Sequence, residues 1–142
     1  MSRIKLSLDD IGFISLFEKV TKANVKDCIF NHEKNKLTFV VSEGQAGLAI
    51  GKGGLNIKNL EEQLKKRVEV LEFSDDPIKF LANIFRPIKL NNAYVSEKSN
   101  GTKALHAQVS KNNGNLGMMM AKVRTARELL EKYFHFEEIN IQ

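Results

Sequence analysis

The residues that could most clearly bind a ligand are Gly51-Lys52-Gly53-Gly54, which lie directly before a helical pattern. Apolar residues recur after them at spacings of three and four, as on one face of an α-helix, at Ile57, Leu60, Leu64 and Val68. Glycine lacks a Cβ, so it permits unusual turns and lets another backbone come close. A helix start offers unpaired N–H groups and the positive end of the helix dipole. Together with the mobile charge of Lys52, these features predict a site for a phosphate group.

Two other phosphate-binding motifs do not fit this stretch. A Walker A loop requires Gly-x-x-x-x-Gly-Lys-Ser/Thr, but Ala46 stands at its first glycine and Gly53 at its hydroxyl position. The dinucleotide fingerprint Gly-x-Gly-x-x-Gly has Asn56 in place of its third glycine. The remaining pattern, Ile50-Gly51-x-x-Gly54 before a helix, resembles the signature loop of KH domains, which clamps about four nucleotides of single-stranded nucleic acid. The alternative is a tight turn between two helices, in which the glycines serve only geometry.

Composition predicts a globular protein of one domain or two small ones. The chain has 142 residues, 42% of them hydrophobic, and a net charge of +5, which suits a polyanionic partner. It has one cysteine, Cys28, so no disulfide can form within the chain. No apolar run approaches the roughly 20 residues of a membrane span, and the N-terminus lacks a signal-peptide core. We therefore expect a cytoplasmic protein without a membrane partner.

The first half of the chain has an α-β-β-α-α-β pattern. The first helix is expected to begin at Ser7 as its cap and to bury a stripe formed by Leu8, Ile11, Ile14 and Phe17. The later elements are predicted as strands at Val25–Phe30 and Leu37–Val41, a helical turn at Leu48–Ile50, a helix at Leu55–Lys66 and a strand at Val68–Phe73.

The second half starts with another helix, for which Asp76 is the predicted cap and Pro77 the first residue. Pro87 limits this helix at about Arg86. The later elements are predicted as strands near Ala93–Ser96 and at Ala104–Val109, a polar loop at Asn112–Asn115, a long helix that buries Met119, Val123, Ala126 and Leu130, and a strand at Glu138–Ile141.

The two halves align as an internal repeat with an offset of 66 residues, which places Gly117 on Gly51 and Val123 on Ile57. The apolar helix face is kept, but the glycine loop corresponds to Gly117-Met118-Met119-Met120, without the lysine or the last glycine. We therefore predict two copies of one small fold, residues 1–74 with an intact loop and residues 75–142 with a degenerate one. The methionines could instead contact a protein partner, through Met118 or Met120.

The whole chain resembles the archaeal NusA-like transcription factors, which consist of two type II KH domains in tandem. The residues that carry this resemblance are Gly47-Leu48-Ala49-Ile50-Gly51-Lys52-Gly53-Gly54, Asn56-Ile57-Lys58, Ala126-Arg127-Glu128-Leu129-Leu130 and Tyr133-Phe134. It implies an α+β fold in which each domain packs its helices on one face of a three-stranded sheet. It also implies binding of single-stranded RNA and a role in transcription termination or elongation beside RNA polymerase.

The residues that we expect to bind RNA are the loop with its neighbours and a set of basic side chains, namely Leu48, Ile50, Gly51, Lys52, Gly53, Gly54, Asn56, Lys58, Arg67, Lys111, Lys122 and Arg124. For the basic residues, the alternative is an ordinary solvated helix face. Two other functions remain open: a KH scaffold for protein contacts, and an RNA-binding role in ribosome assembly or translation.

We expect no enzymatic activity, cofactor, metal or small-molecule substrate. His32, His106 and His135 lack metal-ligand spacing, and Cys28 lies in a predicted strand, as a small core residue would.

Overall fold

The computed structural model describes residues 8–110 and 116–142 and has an α+β fold with two three-stranded sheets. The chain divides into two compact units on either side of the Ser74–Asp75 bond, called here the first and the second unit. None of the helices in the described ranges combines the length with the apolar character that a membrane span requires.

The first unit has the predicted order of elements. They are α1 (Leu8–Thr21), β1 (Val25–Asn31), β2 (Lys36–Val41), α2 (Ala46–Ile50), a 3₁₀ turn (Lys52–Gly54), α3 (Leu55–Leu64) and β3 (Arg67–Glu72). Strand β2 is central, antiparallel to β1 and parallel to β3. Helix α3 ends earlier than predicted because Lys65 adopts a left-handed conformation with φ 57°, while its N–H donates to the Glu61 carbonyl.

The helices of the first unit cover one face of its sheet. The alternate β2 residues Leu37, Phe39 and Val41 are fully buried, and they share one core with side chains from all three helices, including Phe17, Ala49 and Leu60. The rings of Phe17 and Phe39 stack with centroids 4.2 Å apart. This core therefore joins the sheet directly to the two helices that flank the glycine loop.

The buried face of α1 differs from the predicted stripe. Ile11 is 50% exposed, and the α1 side chains that pack into the core are Phe13, Ile14, Leu16, Phe17 and Val20. Both sets have helical spacing, but positions 13, 16, 17 and 20 follow the full i, i+3, i+4, i+7 pattern and turn more apolar volume toward the sheet. The predicted cap, Ser7, lies outside the described residues.

Cys28 is buried in β1, which confirms the prediction that it is a core residue. Burial, with smaller contributions from the nearby Asp10 and Asp27 carboxylates, raises the pKa of its thiol to about 12. Since only the thiolate is a strong nucleophile, this cysteine is protonated and unreactive at neutral pH.

The second unit has one helix fewer in the described residues. Its elements are α4 (Pro77–Phe85), β4 (Leu90–Glu97), β5 (Lys103–Val109), α5 (Leu116–Phe134) and β6 (Glu138–Ile141). Its central strand, β5, is antiparallel to β4 and parallel to β6, so the two sheets share one topology. The cap prediction is confirmed, because the Asp76 carboxylate accepts from the Ile78 N–H at 3.0 Å and Pro77 is the first helical residue.

Gly117–Met120, the residues that align with the glycine loop, lie in the long predicted helix, α5. These residues form the first turn of one continuous helix that begins at Leu116. Methionine favours helix, and a single glycine near the start of a helix does not interrupt it. Met119, expected to be buried, is only partly so, and the buried residues of α5 are Ala126, Leu129 and Leu130.

Candidate nucleic-acid interface

The glycine loop connects α2 to α3 through three residues whose backbone conformations only glycine adopts easily. Gly51 has φ 80°, Gly53 has φ 62° and Gly54 has φ 76°. The Gly54 N–H donates to the Gly51 carbonyl at 3.1 Å, and the Leu55 N–H donates to the Lys52 carbonyl. These bonds close a tight turn in which Lys52 is exposed at the tip.

Asn56 closes the loop from the helix side. Its amide Nδ2 donates to the Leu48 carbonyl at 3.1 Å, which links the first turn of α3 to α2. Gly51 allows this contact, because a Cβ there would lie 2.8 Å from both Cγ and Nδ2 of Asn56. Asn56, predicted to bind RNA, therefore holds the loop in shape.

The close approach at Gly51 predicts that Gly51→Ala destabilises the first unit by roughly 2–3 kcal/mol, because two effects act together: a steric clash, and strain in a positive-φ, extended conformation (φ 80°, ψ 167°) that is essentially restricted to glycine. Gly44→Ala is the matched control, since Gly44 has φ 84° but nothing within 4 Å of an added Cβ. The control should cost only the conformational strain, about 1 kcal/mol. Urea unfolding of both variants measures the difference, and equal losses would show that the Asn56 contact carries no weight.

The other side of the turn is open. A Cβ added at Gly53 or Gly54 would meet no atom within 4 Å. No side chain caps the N-terminus of α3, so the amides that follow Leu55 in its first turn have no capping side chain as an acceptor. This arrangement leaves room for a phosphate to approach the backbone, with the helix dipole and Lys52 supplying positive potential.

Exposed apolar side chains flank the turn. Leu48 and Ile50 at the end of α2 are 51% and 40% exposed, while Ala49 between them is fully buried. Leu55, at the start of α3, is 57% exposed. Leu55 was not predicted as a site residue. The available signal was that it lies off the stripe of Ile57, Leu60 and Leu64 that packs against the core. Apolar surface beside a phosphate site suits unpaired nucleobases, which need a hydrophobic contact for their faces.

Two hydrogen bonds connect the α2–loop–α3 segment to the sheet and its β1–β2 turn. The Glu72 carboxylate on β3 accepts from the Ala46 N–H at 3.2 Å, at the start of α2. At the other end, the Asn35 side-chain amide donates to the Lys65 carbonyl at 2.9 Å. The loop is therefore presented by a frame that is fixed at both ends.

The predicted basic residues do not all lie near the loop. Lys58 is exposed on α3, one helical turn after Gly54. Arg67 is exposed at the start of β3, beyond the far end of α3, whose ten residues span about 15 Å. Lys66, between them, lies over the Phe13 and Phe30 rings at 5.7 and 5.3 Å.

The basic residues predicted in the second unit also have different environments. The Lys122 ammonium donates to the Ile84 carbonyl at 3.3 Å, near the end of α4, so it has a structural partner. Arg124 is exposed on α5, and Lys111 lies outside the described residues. Within residues 8–110 and 116–142, no three His, Cys, Asp or Glu side chains come together in a way that could hold a metal ion.

Comparison with known proteins gives four similarities. A family profile described as KH domain matches residues 14–99, which extends past Ser74 through β4. A Methanocaldococcus jannaschii protein named probable transcription termination protein NusA is 43% identical over 95 residues, which are 67% of this chain and 51% of that protein. This match spans about half the length of that relative.

Two further similarities extend over nearly the whole chain. A Halococcus morrhuae protein with the same name is 32% identical over 141 residues, covering 98% of this chain and 99% of that one. The crystal structure of APE1850 superposes with a TM-score of 0.76 at 36% identity, covering 96% of this chain and 100% of that chain.

Proposed function

Because this chain belongs to the KH-domain family, as one of its NusA-like members, we propose that it is an RNA-binding transcription factor. It binds single-stranded RNA at the glycine loop of the first unit, and residues 1–74 and 75–142 act as two KH domains. The names of its relatives describe a transcription termination protein and no catalytic activity.

The observation that carries this proposal is the open side of the turn beside exposed apolar side chains. A turn that served only chain geometry would leave no reason for Leu48, Ile50 and Leu55 to be exposed together next to it. A single RNA strand fits both features, because its phosphate meets the amides and Lys52 while its splayed bases meet the apolar surface. A duplex also presents phosphates, but its stacked bases cannot meet the apolar surface.

The role in transcription comes from the relatives. Both relatives are named probable transcription termination proteins, and we carry that role to this chain as termination or elongation control beside RNA polymerase. Such work belongs to the cytoplasm, the compartment that the sequence predicts. An RNA-binding role in ribosome assembly is the other use of the same loop. Crosslinked RNA recovered together with polymerase subunits supports the first, and recovery with ribosomal precursors supports the second.

The two units have unequal roles in this proposal. The second unit has a helix where the first has its glycine loop, and Met120 is 54% exposed in the first turns of that helix. A methionine side chain lacks the charge and the open backbone that a phosphate needs. We therefore assign loop-dependent binding to the first unit alone.

The test is a titration of the full chain with a short single-stranded RNA and with its duplex form. We expect clear preference for the single strand. With about four nucleotides clamped, the log–log salt dependence should have a slope of roughly −2 to −3. Equal or tighter duplex binding, or affinity independent of salt, would contradict the proposal.

A further inference from the structure

The second sheet has an exposed polar face on the side opposite its buried residues. Along β5, Leu105, Ala107 and Val109 are buried, and His106 and Gln108 alternate with them and point to the other side. Their partners on the neighbouring strands are also polar or aromatic: Asn92 and Tyr94 on β4, and Asn140 on β6. This face has an open cavity of about 180 Å³, lined by Asn92, Tyr94, His106, Gln108, Asn140 and Gln142 together with Ala107.

An aromatic pair occupies the centre of this face. The Tyr94 and His106 rings are paired across β4 and β5, with centroids 4.7 Å apart and planes inclined by 17°. Tyr94 remains 53% exposed, which is unusual for a large ring in a packed sheet. The exposed ring area is therefore available to a ligand.

The imidazole is held in place from both sides. His106 Nε2 lies 3.0 Å from Ser96 Oγ, and Asn140 Nδ2 lies 3.4 Å from His106 Nδ1. A neutral ring with its proton on Nε2 satisfies both contacts, donating to Ser96 and accepting from Asn140. Such a ring is ordered before any ligand arrives, so binding loses little rotamer entropy.

We propose that this face binds an unpaired nucleobase of single-stranded RNA by stacking on the Tyr94–His106 pair. Aromatic rings on a sheet surface are suited to stacking of unpaired bases, and the amides of Asn92, Gln108 and Asn140 can hydrogen-bond base edges. The site is distinct from the glycine loop, and it rests on the proposed function only for the class of its ligand.

Charge on and around the face suits a nucleic acid. The residues that line the cavity carry no carboxylate. Glu138, at the end of the β6 row, is paired with Lys98 at 2.6 Å, and this hydrogen bond lowers the pKa of its carboxyl group. The exposed Lys89 directly precedes the edge strand β4, where it can meet a phosphate beside a stacked base.

The first sheet does not offer an equivalent surface. The corresponding alternate residues of its central strand, Thr38 and Val40, are buried. The stacking face therefore belongs to the unit that lacks the glycine loop.

The experiment uses tyrosine fluorescence, since the chain has two tyrosines and no tryptophan. In a full-length protein with Tyr133→Phe, Tyr94 is the sole emitter, and Lys52→Asp with Gly53→Asp removes the loop site. The probes are a single-stranded RNA hexamer, an abasic hexamer of the same length and an RNA duplex. We expect saturable quenching by the base-bearing single strand only.

Anisotropy of labelled hexamer on the same background gives the second measurement. Tyr94→Ser should weaken binding about tenfold or more, the size of one lost base–aromatic stack, while Tyr94→Phe should keep it. Absence of quenching, equal quenching by the abasic strand, or unchanged affinity of Tyr94→Ser would overturn the proposal. The quenching measurement leaves Tyr94 in place, so it decides the matter even if Tyr94→Ser does not fold.

The two sites can fail separately in this design. If the loop variant binds as tightly as its parent and Tyr94 is quenched, the proposed loop function is wrong and the stacking face stands. If the parent binds RNA through the loop and Tyr94 is never quenched, only the stacking face is wrong.

Discussion

Replacing Lys52 and Gly53 by aspartate should abolish the loop-dependent binding of single-stranded RNA, which lowers the affinity of the full chain about a hundredfold and leaves only the weaker binding at the second sheet. Both residues are exposed at the tip of the loop, and an added Cβ at Gly53 meets no other atom. The variant removes one charge-assisted hydrogen bond, worth roughly 1.5–3 kcal/mol, and adds two carboxylates that repel the phosphate.

The fold should survive this change. Aspartate at the Gly53 conformation, φ 62°, costs about 1–2 kcal/mol, which lowers the melting point by several degrees without unfolding the protein. Far-UV circular dichroism and thermal melting check this, alongside anisotropy with a labelled single strand. An unfolded variant would mean that the loop is structural, and a folded variant with normal affinity would place the RNA elsewhere.

A matched control separates the effect of charge at the glycine loop from the effect of the changed net charge of the protein. Lys34→Asp with Gly101→Asp makes the same two replacements, because Lys34 is an exposed lysine and Gly101 has φ 88° with open space around it. Lys34 lies in the β1–β2 turn, beside the C-terminal end of α3, and the glycine loop lies at the other end of this helix. The RNA affinity of this control variant should fall only a few-fold. Met120→Asp, in the second unit, should change affinity by less than about threefold if that unit has no phosphate loop.

Phe39→Ala should destabilise the first unit by about 3–5 kcal/mol. Phe39 is fully buried on the central strand, and its ring stacks on Phe17. It belongs to the same core as Ala49 and Leu60, which anchor the helices on both sides of the glycine loop. A small domain has roughly 5–15 kcal/mol of stability, so the loss removes much of it and RNA binding should fall in parallel.

Leu48→Ala is the contrasting variant, because it also truncates a large apolar side chain but at an exposed position. Its stability should change by at most about 0.5 kcal/mol, while its RNA affinity falls several-fold. Urea unfolding followed by circular dichroism gives the stabilities. If both variants lose affinity only in proportion to stability, Leu48 is a structural residue and not part of the interface.

Local signals were sufficient for much of the fold. The capping of α4 by Asp76 and Pro77 was predictable because both act within one helical turn. The glycine loop was predictable for the same reason, since its geometry depends on residue types that are adjacent in sequence. The order of elements in the first unit followed from the period of its apolar residues.

Features that depend on distant contacts were not predictable. Ile11 and Phe13 both fit an apolar helix face, and only packing against the sheet determines that Phe13 is turned inward. Alignment with the first half placed Gly117–Met120 on the glycine loop, but alignment alone does not give their conformation, which is helical because methionine favours helix.

The stacking face and the dispersal of the basic residues have the same explanation. Tyr94 and His106 are joined by strand register, which the sequence of either strand alone does not specify. Arg67 and Lys52 are separated by the length of α3, and Lys122 finds its acceptor on α4. The basic residues were identified in the sequence by their charge alone, and charge does not indicate how far a residue lies from the glycine loop in the fold.

The parallel pairing of β2 with β3 has a consequence for how the first unit folds. Lys36 pairs with Arg67 and Val41 with Glu72, so each contact between these strands encloses the entire α2–loop–α3 connection. The chain must close this long loop before any of these pairs can form, and such non-local closure slows folding. The β1–β2 hairpin, with its short turn, can form first. The segment that offers the glycine loop to a ligand is thus the crossover whose closure completes the sheet, and a nascent chain gains this site only when β3 has been synthesised.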